Sequence, residues 1–283
     1  MLFRSVAPFI YDNTRLLLLS KTERFPNGLA NSSGHLGKHI MAHMMPNVFV
    51  TFEDRHLNNF MGPSAQKHTI DDFNADNFDH KDLGFIRGAQ ISIGTPTLQG
   101  GPISFSIIPP PPGTPRWGAA YRDFLAKNYA RHGVMVAQTE NLPYADQTLD
   151  LDPNVKDMWG LPATRITYDF RRPNEMARVA FMYKKMEEIG RAMGAPLVWR
   201  APLPPGAPGA HHEGGTRMSA NPRDGVVNKY GQTWDIPNLF VVGSSTFPTM
   251  GTGFNPTLTI QALAYYTADA IVNRYRKSPG PLA

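Results

Sequence analysis

The chain has 283 residues, long enough for a large core and two domains. It contains no cysteine, which excludes disulfides, thiolate metal sites and cysteine nucleophiles. Its formal net charge of +5 is not gathered into any Lys/Arg run, which argues against nucleic acid as a partner. No apolar run approaches the roughly 18 residues of a spanning helix, and Leu16 to Leu19 is too short for a signal-peptide core.

His35, His39 and His43 recur every four positions and are predicted to share one helix face. Imidazoles there suit zinc or copper, but Gly34 and Gly37 weaken the helix and no carboxylate lies nearer than Glu53, so no metal site is assigned. Glu53 to Asp82 is polar and reads as irregular surface. Phe85 to Ile93 and the alternating Ile103 to Ile108 are predicted strands, and Pro109 to Pro112 a stiff connector. A helix is predicted from Gly118 to His132, stopped by Gly133. Val134 to Thr139, Gln147 to Leu151 and Thr164 to Phe170 follow as antiparallel strands, with Asp150 and Asp152 on a solvated face. Asn174 is expected to cap a helix to Met193, whose stripe of Met176, Val179, Tyr183, Met186, Ile189 and Met193 is core. Ala201 to Gly209, rich in Pro and Gly, reads as a crossing between domains.

The last stretch carries the chemistry. Leu239 to Val242 is a short, non-alternating apolar run, as in a strand covered on both faces. Gly243-Ser244 follows at its carboxyl end, where ligands sit in open α/β sheets. Asn255 is an N-cap candidate with Pro256 and Thr257 opening a helix to Tyr275. Such a helix start favours an anion or a ring that gains electron density.

His212-x-Gly-Gly-Thr216-x-Met218, the Val241-Val242-Gly243-Ser244 turn and Asn255-Pro256-Thr257-Leu258-Thr259-Ile260 together resemble the C-terminal signature of the glucose–methanol–choline (GMC) flavoprotein oxidoreductases. The resemblance implies FAD. It makes His212 the catalytic base, Asn255 its partner on the substrate oxygen, and His211, Gly243, Ser244, Pro256 and Thr257 cofactor contacts. The implied fold is α/β (α+β overall). An incomplete FAD-binding Rossmann-like domain (1–84 and 203–283) is joined to a substrate domain with an antiparallel sheet flanked by helices (85–202). No G-x-G-x-x-G occurs, so the chain is expected to be an N-terminally truncated fragment.

Asp157-x-Trp159-Gly160-Leu161-Pro162 and Asn174-Glu175 resemble the branch that holds the flavoprotein subunits of gluconate, fructose, sorbitol and glucose dehydrogenases. That branch implies an alcohol, sugar, polyol or aldonate substrate, a small export-directing subunit and a haem c subunit. It also implies a place on the periplasmic side of the inner membrane, with the cytoplasm as the other option. In this chemistry a neutral imidazole removes the hydroxyl proton while hydride leaves the carbon. The alternatives are a histidine-based metal-binding protein and a catalytically inactive fragment.

Overall fold

The computed structural model describes residues 3–57, 68–94, 109–203 and 211–282. In chain order the elements are β1 (Arg4–Val6), α1 (Ile10–Leu19), β2 (Met41–Ala42), β3 (Asn47–Thr51), β4 (His68–Ile70), β5 (Ala89–Gly94) and α2 (Ala119–Asn128). They continue with β6 (His132–Thr139), β7 (Thr148–Lys156), β8 (Pro162–Thr167), α3 (Pro173–Ala192), β9 (Leu197–Arg200), β10 (His212–Glu213), β11 (Leu239–Val241) and α4 (Thr257–Ala270). A π-helical stretch, Ile271–Tyr275, prolongs α4.

Five strands form an antiparallel sheet in the order β4-β5-β6-β3-β9. One of its faces is apolar, with Val48, Val50, Ile91, Met135 and Ala137 buried against Val179, Met182, Tyr183 and Met186 of α3. The sheet thus buries one side against a helix, as an antiparallel layer must. The buried side of α3 runs through Glu175, Arg178, Val179, Met182, Tyr183, Met186 and Gly190. This differs from the expected stripe at both ends: Met182 is fully buried, whereas Met193 is 36% exposed. Arg178 takes a core position because its charge is met there. It donates to Asn141 Oδ1 (2.8 Å) and the Ile86 carbonyl (3.3 Å) and pairs with Glu175 at 3.8 Å. Asn174 does not cap α3; the N-cap is Arg172, and Asn174 Oδ1 accepts from the Ile86 N–H at 2.9 Å.

The second unit contains a parallel pair, β1 with β11, in the register Arg4↔Leu239, Ser5↔Phe240, Val6↔Val241. All three β11 residues are buried, as the short apolar run required. Leu17 of α1 packs with Leu36, Val226, Val227, Leu239 and Val241.

Several expectations change. The sheet draws β3 and β4 from residues assigned to the 1–84 domain, because Val48, Phe49 and Val50 pair with Met135, Val134 and Gly133. The hairpin β7–β8, placed in the 85–202 domain, is tied to α1 through Arg15, which donates to Asp157 Oδ2 (2.5 Å) and the Pro162 carbonyl (2.9 Å). The helix expected at 118–132 is shorter, since His132 and Gly133 already belong to β6. Residues 35–43 form no helix. His35 and His39 still stack, with Nδ1 and Nε2 2.9 Å apart, but His43 lies elsewhere. The Ile103–Ile108 strand and most of the 201–209 crossing lie outside the described residues.

Met182→Ala is expected to lower stability by about 2–5 kcal/mol through the cavity it leaves. Met193→Ala should change it by no more than about 0.5 kcal/mol. Urea unfolding followed by circular dichroism measures both.

Candidate active site

The histidine pair is held from below by backbone. β10 pairs antiparallel with β2, with His212 opposite Ala42 and Glu213 opposite Met41. The chain then turns at Gly214, where φ is 89° and a Cβ would stand 2.1 Å from the His39 carbonyl oxygen. Only glycine fits there. The rest of the motif runs beside the 3-10 turn Ser244–Thr246: Gly214 N–H donates to Ser244 O (3.0 Å), Thr216 N–H to Ser245 O (2.9 Å) and Met218 N–H to Thr246 O (2.7 Å). Asn13 of α1 closes the arrangement by donating to Ser245 Oγ at 2.9 Å and the Val242 carbonyl at 3.3 Å. The carboxyl end of β11, the start of α1 and the histidine motif are therefore one hydrogen-bonded unit.

Within that unit the two histidines part. The His212 ring leans on Tyr11 (5.4 Å) and Phe9 (6.0 Å), with Nδ1 2.8 Å from the Tyr11 hydroxyl. This is the side where β1 hands over to α1. The His211 ring packs edge-on against His43 at 5.2 Å, and its backbone adopts a left-handed φ of 58°. His43 is fully buried; its Nδ1 lies 2.5 Å from the Thr139 carbonyl and its Nε2 3.1 Å from the Phe254 carbonyl. His211 is thus linked through His43 to the Phe254 carbonyl, in the segment that carries Asn255.

That segment is docked on the antiparallel sheet. Gly253 donates its N–H to Asn74 Oδ1 at 3.0 Å, and a Cβ there would lie 2.2 Å from Gln138 O and 2.5 Å from Gln90 N. Asn255 itself is exposed. It is not the N-cap of α4: Pro256 is, with no side-chain cap, and Thr257 is the first helical residue. The Asn255 amide is therefore not spent on capping. The Ser244 hydroxyl donates to the His212 carbonyl at 3.0 Å.

The electrostatics favour neutral groups. Burial, followed by the neighbouring His212, holds His211 below the usual imidazole range. Burial takes His43 down to about 4, despite its two carbonyl neighbours. On the other side of β10, Glu213 is pushed up to about 9 by burial and then by Glu140. Glu140 is raised mainly by burial, and Thr249 donates to its Oε1 at 3.2 Å. No net negative charge on Glu213 therefore competes with the histidines at neutral pH.

Residues 143–264 match the family described as GMC oxidoreductase. The chain belongs to the GMC oxidoreductases. It is 35% identical to the gluconate 2-dehydrogenase flavoprotein of Pantoea cypripedii, an alignment that covers 98% of this chain and 45% of that protein. It is 32% identical to the fructose dehydrogenase large subunit of Gluconobacter japonicus, over 93% of this chain and 45% of the relative. The chain thus spans about half the length of the curated relatives it matches. In fold it resembles Aspergillus oryzae formate oxidase, with a TM-score of 0.57 at 15% identity, covering 96% of this chain and 54% of that one.

FAD is the cofactor of this GMC oxidoreductase family. The residues present fit one end of it. Gly243 turns with φ 117° at the end of β11, and around its missing Cβ the nearest atoms are Pro8 O at 3.7 Å and Asn13 Nδ2 at 3.8 Å. α4 starts uncapped at Pro256 and Thr257, a helix end of the kind that suits an anionic group. A glycine-rich diphosphate loop is not in this sequence.

Tyr11, His43, Glu140 and Glu213 were not picked out as site residues. The one hint in the sequence was His43, as the last of three histidines at helical spacing, and that spacing pointed to the wrong structure.

Because folded Glu213 keeps its proton up to about 9 while the unfolded chain loses it near 4.5, the native state binds more protons between these values. Stability therefore falls as pH rises through that window. Glu213→Gln should remove part of the fall, leaving the share due to Glu140, and urea midpoints at pH 5, 7 and 9 would read it. Equal slopes in both proteins would show that Glu213 ionises normally.

Proposed function

We propose that the whole protein oxidises a CH–OH group of a sugar, polyol or aldonate, with FAD as hydride acceptor and His212 as the base. What supports this reading is the hydrogen-bonded unit that joins the His212 strand to the turn at the carboxyl end of β11, with His212 Nδ1 2.8 Å from the Tyr11 hydroxyl. An imidazole oriented in this way takes the hydroxyl proton, which an unactivated alcohol must lose before hydride can leave its carbon. The Asn255 amide donates a hydrogen bond to the oxygen as it gains charge, worth about 2–4 kcal/mol when preorganised. Gly243, Pro256 and Thr257 would seat the ring end of the flavin, and FAD supplies the two-electron acceptor when bound. The left-handed backbone at His211 is consistent with a side chain aimed by its surroundings rather than by its own preference.

Gluconate 2-dehydrogenase and fructose dehydrogenase, the relatives named above, act on sugar-derived substrates, which supports that substrate class here. Their names describe a flavoprotein and a large subunit. This supports a multi-subunit assembly, with a small export-directing subunit, a haem c subunit and a periplasmic site as its finer form. Among the described residues no helix is long and apolar enough to cross a membrane. No group of three or more His, Asp or Glu able to hold a metal occurs among them either, so no observation favours the metal-binding reading.

Dye reduction by the whole protein tests the assignment. His212→Ala should lower kcat by about 10²–10⁴-fold and Asn255→Ala by about 10²–10³-fold, with a smaller loss for His211→Ala. Normal turnover in His212→Ala would overturn the assignment of the base. For the 283-residue chain alone, a flavin titration is expected to show weak binding.

A further inference from the structure

His35 and His39 have no part in the reaction proposed above. Their rings stack at 5.1 Å with planes 23° apart, and His35 Nδ1 lies 2.9 Å from His39 Nε2. What stands behind this contact fixes its protons. His39 Nδ1 is 2.9 Å from the Pro143 carbonyl, which can only accept, so that nitrogen carries the N–H. A neutral His39 then has its lone pair on Nε2, and His35 Nδ1–H donates to it. The backbone needs this support. His39 adopts a left-handed φ of 63°, which a residue with a side chain holds only when its surroundings impose it.

The same loop is the floor of the histidine motif. Gly37 N–H donates to Gly215 O at 2.7 Å and Gly215 N–H to Lys38 O at 3.1 Å. The His39 carbonyl oxygen is the atom that a Cβ at Gly214 would strike. On its other side the loop meets β7, where Leu149 N–H donates to Gly37 O at 2.7 Å.

We propose that the His35–His39 pair is an acid-sensitive latch that holds the 35–39 loop against the His212 strand. The latch is independent of the function proposed above. A first proton enters at His35 Nε2 and leaves the latch closed, because that nitrogen is not in the contact. A second must take the lone pair of His39 Nε2, and two N–H groups then face each other, so the latch opens. Burial is the largest influence on both rings and holds each below the usual imidazole range. Arg217 and Lys38 add to it, while Asp224 and the Arg223 backbone draw a proton to His35 and the Pro143 carbonyl draws one to His39. The folded chain thus takes up these protons less readily than the unfolded one. The stability the latch contributes is present above about pH 6.5 and is lost as pH falls.

Hydrogen exchange on the 283-residue chain tests the latch. Protection factors of the Gly37 and Gly215 amides should fall at least about tenfold between pH 7 and pH 4, while those of β3, paired on both sides, hold. His39→Gln keeps an acceptor oxygen near the position of Nε2 and takes no proton, so its protection at the two glycines should change by less than about threefold. Ring ¹⁵N shifts of the wild-type chain give a second reading that needs no variant. Both histidines should carry N–H on Nδ1 at pH 7 and titrate in two separate steps. Unchanged protection at pH 4, an equal fall in β3, an equal loss in His39→Gln, or one common titration step at the ordinary imidazole pH would each overturn the proposal.

Discussion

Close approach of backbone to backbone is the constraint on which this site depends. At Gly214 and Gly253 the chain runs within a distance of its neighbours that any Cβ would block. The first contact presses the histidine motif onto the loop before β2, and the second presses the Asn255 segment onto β5 and β6. Neither contact is strong as an attraction. Their effect is exclusion: each leaves one position for the segment, and the hydrogen bonds at Ser244, Ser245, Thr246 and Asn74 then hold it there. A site that must aim two side chains at one reacting oxygen gains from such rigidity.

The two layers contribute differently. The parallel pair β1–β11, with α1 and α4, offers strand ends and an uncapped helix start, the features that suit a dinucleotide cofactor. The antiparallel sheet with α3 offers a wall, and its polar interior explains why Arg178, Glu175 and Glu140 are buried near the same corner. His43 lies where these parts meet, with Thr139 of the sheet on one side and Phe254, just before α4, on the other. Burial keeps this junction uncharged: His43 and His211 are pushed toward the neutral base and Glu213 toward the neutral acid.

Much of this was legible in the residues themselves. The Leu239–Val241 run lacks alternation because both faces are covered, so a buried strand followed by a ligand loop was the natural reading. The α3 stripe was found nearly in register, because apolar periodicity is local. The helix across His35, His39 and His43 was misread for the converse reason. Periodicity of one residue type is no evidence of helix when glycines with positive φ interrupt it.

The sequence by itself determined the family, the strand-loop and helix-start motifs, and the imidazole and carboxamide that the family signature contains. Only the tertiary structure decided which imidazole meets which partner. Motif spacing assigns roles to His211 and His212 but says nothing of their neighbours. A strand conformation at His212 and a left-handed backbone at His211 send one toward Tyr11 and the other toward His43, residues more than 160 positions away in the chain. Burial acts in the same way, since the protons on Glu213 and His43 follow from what surrounds them, which is a property of the fold.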